Sequence, residues 1–215
     1  MIVKKEDSVF TYYHAVGRRC AVSLSDLKLQ IPDEEALLRL ELKGFGRVKV
    51  DLAELTEFCK QRSEYERGVR IELAPEVVDC STLTKWLYGQ LGIWLPRHTL
   101  HQRECGEVVT TLRPWDLVFT EGLKPYFWNN QEDGVGHVGI VLESGMILHA
   151  ANSKVGVIES TLDEFADQKY RGARRILKPG TVTLESYAGR RAEFSMDYRC
   201  YILQTIRDSL IDNKG

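Results

Sequence analysis

The stretch VVDCSTLTKW, residues 77–86, decides the fold because it places a cysteine at the start of a predicted helix. Asp79 is a favoured N-cap residue, and a helix N-terminus stabilises a thiolate, so Cys80 stands where a nucleophile would. The alternative is a small buried hydrophobe, the usual state of a free cysteine. The apolar residues of the helix recur near the spacing of one face: Leu83, Trp86, Leu87 and Leu91.

Two histidines downstream lie in a predicted β-hairpin, residues 137–151, HVGIVLESGMILHAA. A two-residue loop would put His137 and His149 on opposite faces of the ribbon. A three-residue loop, 143–145, pairs Gly139 with His149 and puts both imidazoles on one face. We predict the three-residue loop, with the rings close enough for a hydrogen bond and Gly139 leaving room for the second ring.

These three side chains match the needs of thiol chemistry. A thiolate attacks a carbonyl, an imidazole exchanges the proton with the nucleophile and the leaving amine, and a third polar group fixes the imidazole tautomer. Cys80, His137 and His149 fit these roles in that order. Each histidine alone could be a satisfied polar residue of a sheet, but two on one face favour catalysis. We therefore expect Cys80 to be alkylated well below about pH 8.

Several stretches, in chain order, resemble the NlpC-type cell-wall peptidases, papain-like cysteine peptidases that cut peptidoglycan stem peptides. The resemblance covers about residues 50–178. The matching elements are Tyr65 with Gly68, Asp79-Cys80-Ser81, Leu95-Pro96-Arg97 with Gln102, WDLVF at 115–119, HVGI at 137–140, ILHA at 147–150 and RRIL at 174–177.

The resemblance implies a peptidase that hydrolyses amide bonds in stem peptides through an acyl-thioenzyme, at D-glutamyl to diamino-acid links and without a cofactor. It implies Cys80 as nucleophile, His137 as general base and then acid, and His149 as the orienting residue. The expected partners are peptidoglycan stem peptides or muropeptide fragments.

Three further residues receive roles from the same resemblance. Tyr65 would donate a hydrogen bond near the oxyanion, together with the backbone N–H of Cys80. Asp79 and Ser81 would recognise the amino end of the peptide substrate. Asp79 could instead be a plain helix cap, and Tyr65 a core aromatic with its hydroxyl at the surface.

The chain departs from the family pattern at two glycine positions. Thr82 follows the Cys-Ser pair and Trp115 precedes an Asp where the family usually has Gly, which alters close backbone approach. An insertion, residues 122–136, stands immediately before the first catalytic histidine. Its aromatic residues could form a cleft wall: Tyr126, Phe127 and Trp128.

Composition fits a soluble globular protein of 215 residues, 43% hydrophobic and 28% charged. A formal charge of -2 provides no broad basic surface, so we expect neither nucleic acid nor acidic membranes as partners. No window approaches the roughly 18 apolar residues of a membrane span. The sequence does not indicate an oligomeric state.

Cysteine usage and the N-terminus bear on the compartment. Five cysteines without a C-x-x-C pair argue against a disulfide scaffold and a four-cysteine zinc site, and fit a reducing compartment. The N-terminus lacks the apolar core of a signal peptide. The expectation is a cytoplasmic protein, or a cell-envelope protein if a leader was removed.

The predicted fold class is α+β, with a papain-like nucleophile helix packed on an antiparallel sheet that carries the histidines. Residues 1–50 form a small β-rich accessory segment with a hairpin around 43–47. Residues 51–180 form the catalytic domain, opened by a helix from Asp51, and residues 181–215 add a strand and a helix.

A different class of site deserves comparison, because His98, His101 and Cys105 would share one face of a helix over residues 97–105. The first and last would lie about 10.5 Å apart along the axis, too far for one zinc ion. We therefore predict no metal site and a polar helix beside the cleft.

Two other uses of the same site stay open. An acyl-thioenzyme can be resolved by an amine or alcohol, which makes the enzyme an acyltransferase. Alternatively, the changes at Thr82 and Trp115 could close the cleft and leave a catalytically silent peptide-binding module.

Overall fold

The computed structural model describes residues 4–6, 9–11, 19–167, 169–186 and 198–212. The strands are β1 (Lys4–Glu6), β2 (Val9–Thr11), β3 (Arg19–Ser23), β4 (Phe45–Val48), β5 (Glu64–Tyr65), β6 (Val77–Val78), β7 (Glu107–Val109), β8 (Leu117–Thr120), β9 (His137–Val141), β10 (Ile147–Asn152), β11 (Gly156–Ser160), β12 (Tyr170–Arg175) and β13 (Thr181–Ser186). The helices are α1 (Leu24–Leu27), α2 (Asp33–Leu42), α3 (Leu52–Arg62), α4 (Cys80–Gln90), α5 (Thr99–Gln102), α6 (Leu162–Ala166) and α7 (Tyr198–Asp212). Short 3-10 turns span Ile71–Leu73 and Gln131–Asp133.

The central layer is a six-stranded sheet in the order β11-β10-β9-β8-β12-β7, with every neighbouring pair antiparallel. Helix α4 packs on one face of it. Each fully buried aliphatic side chain in this interface contributes about 1.5–3 kcal/mol. The buried residues of the interface include Leu83, Leu87, Tyr88, Leu117, Phe119, Ile140 and Leu148. The predicted α+β layout, a cysteine-bearing helix on an antiparallel sheet, is therefore confirmed.

The β9–β10 hairpin has the predicted three-residue loop. Val141 pairs with Ile147, and the amide of Leu142 donates to the carbonyl of Met146 at 2.9 Å. A Cβ on Gly139 would lie 2.5 Å from a methyl carbon of Ile147 and 3.1 Å from the ring of Phe165, so the glycine makes room for these residues. Room for the second imidazole stays a prediction.

Trp115 has a backbone conformation that favours glycine. Its φ is +73°, a left-handed value that costs a non-glycine residue about 1–3 kcal/mol. The indole is buried and meets Tyr88 edge-on at a ring separation of 5.7 Å, while the Tyr88 hydroxyl donates to the Trp115 carbonyl. Burial of two large aromatic side chains offsets the backbone strain, and the turn before β8 is preserved.

The hairpin predicted around residues 43–47 was wrong. Residues 33–42 form helix α2, followed by strand β4. Leu38 and Leu42, whose alternation with Leu40 resembles one face of a strand, are 54% and 78% exposed. Three acidic residues stabilise the first turn of α2, and Ala36, Leu37 and Leu40 are buried at helical spacing.

The segments that precede and follow the central sheet in the chain pack together. Strand β13 lies between β3 and β4 in a three-stranded antiparallel sheet, and α2 contacts α7. The predicted helix from Asp51, the strand from Thr181 and the C-terminal helix are confirmed. The domain boundaries at 50 and 180 stay predictions. We call the unit formed by β3, α1, α2, β4, β13 and α7 the flanking layer.

The flanking layer supports the C-terminal end of α4. A Cβ on Gly92 would lie 2.5 Å from the Cα of Cys20, so the two backbones touch at this glycine. The Thr183 hydroxyl donates to the carbonyl of Leu91 at 3.2 Å, and Arg19 donates to that of Gln90 at 3.2 Å. These side chains satisfy carbonyls that a helix end leaves without partners.

None of the helices within the described ranges is both long and apolar enough to cross a lipid bilayer.

Candidate active site

The N-terminus of α4 is built by a reciprocal cap. The Asp79 carboxylate accepts from the amides of Ser81 at 3.1 Å and Thr82 at 2.9 Å, and the Thr82 hydroxyl accepts from the Asp79 amide at 2.7 Å. This is a capping box, which confirms the cap interpretation of Asp79. Thr82 completes the box, so the threonine that stands in place of the family glycine is part of the helix start and does not close the cleft.

Arg97 holds the outer side of this cap. Its guanidinium bonds the Asp79 carboxylate at 2.6 Å, the Ser81 hydroxyl at 2.7 Å and the Val69 carbonyl at 2.6 Å. Gly68 donates its amide to the same carboxylate at 3.0 Å. Burial alone would raise the pKa of Asp79, but the hydrogen bonds from Arg97 and the amides outweigh burial and lower it.

The carboxylate of Asp79 is thus ionised and already neutralised. Arg97 occupies positions at Asp79 and Ser81 that a substrate amine would use, and both residues are buried. Recognition of the amino end of a peptide by Asp79 and Ser81 stays a prediction, and it requires Arg97 to share or give up these contacts.

Cys80 occupies the first position of α4 and is partly exposed. Its sulfur lies 3.9 Å from the Thr99 hydroxyl, and the amides of Val138 and Ser81 also act on it as hydrogen-bond donors. Burial and the charge of Asp79 outweigh these donors and raise the pKa of the Cys80 thiol to about 11. The expected alkylation at low pH is therefore contradicted by the electrostatics of the resting site.

The two histidines that are predicted to be catalytic meet on one face of the hairpin. His137 Nε2 lies 2.8 Å from His149 Nδ1, and His149 Nε2 lies 3.0 Å from the Ser160 hydroxyl. The ring of Phe165 packs on both imidazoles at 5.2 and 5.1 Å. We call His137, His149 and Ser160 the histidine relay. Sequence reasoning missed Ser160, whose strand β11 pairs with β10.

The histidine relay is electrically neutral. Burial, with a smaller contribution from His149, lowers the pKa of His137 to about 3, and burial lowers the pKa of His149 to about 4. Both imidazoles are therefore uncharged near neutral pH. A neutral imidazole keeps a lone pair with which it can accept a proton.

The nucleophile and the relay meet at strand β9. The Val138 amide, next along the chain from His137, acts on the Cys80 sulfur and favours its thiolate. No hydrogen bond joins this sulfur to an imidazole nitrogen in the part of the chain that the structure describes. Since His149 engages Nε2 of His137, Nδ1 is the nitrogen left for the thiol. Catalytic hydrogen bonds are often long or misaligned without substrate.

Tyr65 reaches the site through a parallel strand pair. Strand β5 pairs with β6, which sets Tyr65 beside Val78, two residues before the nucleophile. Burial raises the pKa of Tyr65, with smaller contributions from the charges of Cys80 and Asp79. Its hydroxyl has no hydrogen-bond partner among the described residues. The amide of Cys80 also lacks an acceptor within the helix, so two donors are available for an oxyanion.

The alternative zinc arrangement does not form. Helix α5 covers only Thr99–Gln102, shorter than predicted, and His98 and His101 touch edge-on at 5.9 Å. The sulfur of Cys105 is buried and donates to the His101 carbonyl at 3.5 Å. Within the described ranges, no three potential ligands come together to hold a metal ion.

The insertion 122–136 closes at its base through a bridge between Tyr126 and Val135. Tyr126, Phe127 and Trp128 are exposed. The Tyr126 hydroxyl lies 3.5 Å from a guanidinium nitrogen of Arg67, and the ring of Trp128 meets that of His101 at 5.2 Å. The insertion therefore contacts segments on both sides of the nucleophile helix.

The fold and the site together define a papain-like α+β domain. The sequence pattern of the NlpC/P60 family matches residues 63–175, just over half of the chain. The chain belongs to the NlpC/P60 family of papain-like cysteine peptidases, which includes peptidoglycan hydrolases and endopeptidases.

Similar proteins carry hydrolase names. A γ-DL-glutamyl hydrolase of Bacillus subtilis strain 168 is 33% identical over 103 residues, which are 46% of this chain and 23% of that protein. The murein DD-endopeptidase MepS/murein LD-carboxypeptidase of Escherichia coli K12 is 32% identical over 118 residues, 52% of this chain and 57% of that protein. The chain thus spans less than two thirds of these relatives.

Among solved structures, the NlpC/p60 domain of the peptidoglycan hydrolase SagA is similar to this chain. The alignment is 24% identical and covers 59% of this chain and 99% of that domain, with a TM-score of 0.43.

Proposed function

We propose that this protein is a cysteine peptidase that hydrolyses amide bonds in peptidoglycan stem peptides, at links between a D-glutamyl residue and a diamino acid. The observation that carries the proposal is the histidine relay, which crosses strands β9, β10 and β11, with the cysteine at the start of α4 close to β9. The hydrolase names of the relatives, two of which refer to murein or glutamyl bonds, support the choice of substrate.

The first step forms an acyl-thioenzyme. Nδ1 of His137 accepts the thiol proton as the Cys80 sulfur attacks the scissile carbonyl carbon. The carbonyl oxygen becomes an oxyanion, to which the Cys80 amide and the Tyr65 hydroxyl donate. His137 then passes its proton to the leaving nitrogen as the C–N bond breaks. Water, deprotonated by His137, cleaves the thioester and restores the thiol.

The tautomers of the histidine relay support this sequence. If His137 donates its Nε2 proton to His149, and His149 donates its own to the Ser160 hydroxyl, every nitrogen along the line is satisfied and His137 Nδ1 carries the lone pair. His149 then stabilises the imidazolium that forms at His137 during the reaction.

The raised thiol pKa and the lowered imidazole pKa define a neutral resting pair. Proton transfer must then accompany attack on the carbonyl instead of preceding it. A bound substrate favours this transfer, because the developing negative charge passes from sulfur to an oxygen that faces two donors.

The test is incubation with purified stem peptides, followed by mass spectrometry of the products. Fragments that have gained one water indicate hydrolysis, and new peptide conjugates indicate acyl transfer. Cys80→Ala is the control and should yield neither. A wild-type protein that binds the peptides but produces no fragments would contradict the proposal and favour a silent binding module.

A further inference from the structure

Arg67 has no acidic partner among the described residues, in contrast to three other arginines of the domain. Arg97 pairs with Asp79, Arg171 with Glu121, and Arg175 with Asp116. The Arg67 side chain is exposed, and its hydrogen bond goes to a neutral group, the Tyr126 hydroxyl at 3.5 Å. A guanidinium held by a phenol keeps most of its five donors free.

The location of Arg67 links this cation to the site. It follows Tyr65 by two residues, and the amide of the next residue, Gly68, bonds the Asp79 carboxylate that caps α4. The hydrogen bond to Tyr126 raises the pKa of Arg67. The chain at Arg67 therefore passes beside the start of α4, where Cys80 stands.

Tyr126, on the other side of its contact with Arg67, is held in place by its backbone. Its backbone exchanges two hydrogen bonds with Val135 at 2.9 and 2.8 Å, and His137 follows Val135 by two residues. The pair formed by Arg67 and Tyr126 therefore joins the segment that carries Tyr65 to the segment that carries the catalytic base. A substrate group held by this pair would therefore contact both segments.

We propose that Arg67 and Tyr126 form a carboxylate-binding site that selects peptides with a free carboxylate beside the scissile amide. This inference rests on the proposed function and narrows its substrate class. Arginine forms paired hydrogen bonds to a carboxylate, and the phenol adds a donor from the side. Asp79 is already neutralised by Arg97, whereas the contact of Arg67 with a neutral phenol leaves its charge available to a substrate anion.

The proposal selects between two forms of one peptide. A D-glutamyl residue linked through its side-chain carboxyl retains a free backbone carboxylate, whereas a D-isoglutaminyl residue carries a neutral amide there. The carboxylate form should bind about ten-fold or more tightly, since the amide leaves the guanidinium without its ionic partner.

The test measures the dissociation constants of both peptides on Cys80→Ala protein, where turnover cannot interfere. Adding Arg67→Gln should abolish the preference by weakening the carboxylate form and leaving the amide form nearly unchanged. Tyr126→Phe should reduce the preference in part. Arg70→Gln is the matched control, because Arg70 is an exposed arginine of the same segment that faces Glu72 at 3.6 Å, and the preference should survive.

The outcomes separate this inference from the proposed function. Equal binding of the two peptides, or a preference that survives Arg67→Gln, would overturn the carboxylate site. Hydrolysis of both peptides at equal rates by wild-type protein would leave the peptidase proposal standing and also overturn the carboxylate site. A carboxylate preference in binding, without hydrolysis of either peptide, supports the carboxylate site and contradicts the peptidase proposal.

Discussion

Two polar clusters flank Cys80, and they differ in charge. On one side Asp79 and Arg97 form a buried, hydrogen-bonded ion pair that begins helix α4. On the other side the histidine relay is neutral, since burial holds the pKa of His137 at about 3 and that of His149 at about 4. The comparison indicates a division of roles. In the proposed mechanism, the charged cluster positions the nucleophile and the neutral relay retains the lone pair that accepts its proton.

The largest expected effect tests the catalytic side. His137→Ala should reduce kcat/KM for a stem peptide by at least about 10³-fold, because it removes the group that accepts the thiol proton in the proposed mechanism. The free energy of unfolding of this variant should fall only slightly, so that the loss of activity does not reflect unfolding. Steady-state kinetics with a matched circular dichroism melt measure both. Activity within ten-fold of wild type would contradict the assignment of His137 as the general base.

The next effect concerns the charged cluster. Arg97→Gln should lower the free energy of unfolding by about 3 kcal/mol, because it leaves the buried Asp79 carboxylate without its partner. Urea unfolding measures the change. Arg70→Gln breaks an exposed ion pair of the same arginine-to-carboxylate type and should leave the urea midpoint almost unaltered. Equal effects of the two variants would show that Arg97 does not stabilise the start of α4.

A fall in pH should lower the stability of the folded protein mainly through the two histidines of the relay. The unfolded chain binds protons at its histidines below about pH 6.5, while His137 and His149 in the folded chain resist protonation down to about pH 4. Stability therefore falls as the pH drops from about 6.5 towards 4. Urea unfolding at several pH values should show this decline, and His149→Asn should make it shallower. An identical decline in the variant would contradict the buried neutral assignment.

The smallest effect tests the end of the relay. Ser160→Ala removes the hydroxyl at 3.0 Å from His149 and should lower kcat about five-fold, the value of one hydrogen bond, with KM nearly unchanged because Ser160 acts through His149. Ser160→Thr keeps a hydroxyl and should restore most of the rate. A change in KM alone would mean that Ser160 affects substrate binding instead.

Local patterns predicted the parts of the fold in which neighbouring residues decide the structure. The cap residue and apolar spacing of α4 were sufficient for the helix, and the Glu-Ser-Gly turn for the three-residue loop that brings the histidines together. The prediction failed at residues 33–42, where alternating leucines resemble a strand but the burial of Ala36 and Leu37 belongs to a helix. A short apolar alternation does not by itself distinguish the two periods.

The sequence by itself determined the family, the α+β class and the joining of two imidazoles on one ribbon, because caps, turns and period-two alternation depend on residues close in the chain. Only the tertiary structure decided that Arg97 neutralises Asp79, that Ser160 ends the relay and that the flanking layer holds the end of α4. It also decided that the thiol is neutral at rest, because a pKa depends on burial and on charges brought near by folding, which no local pattern contains.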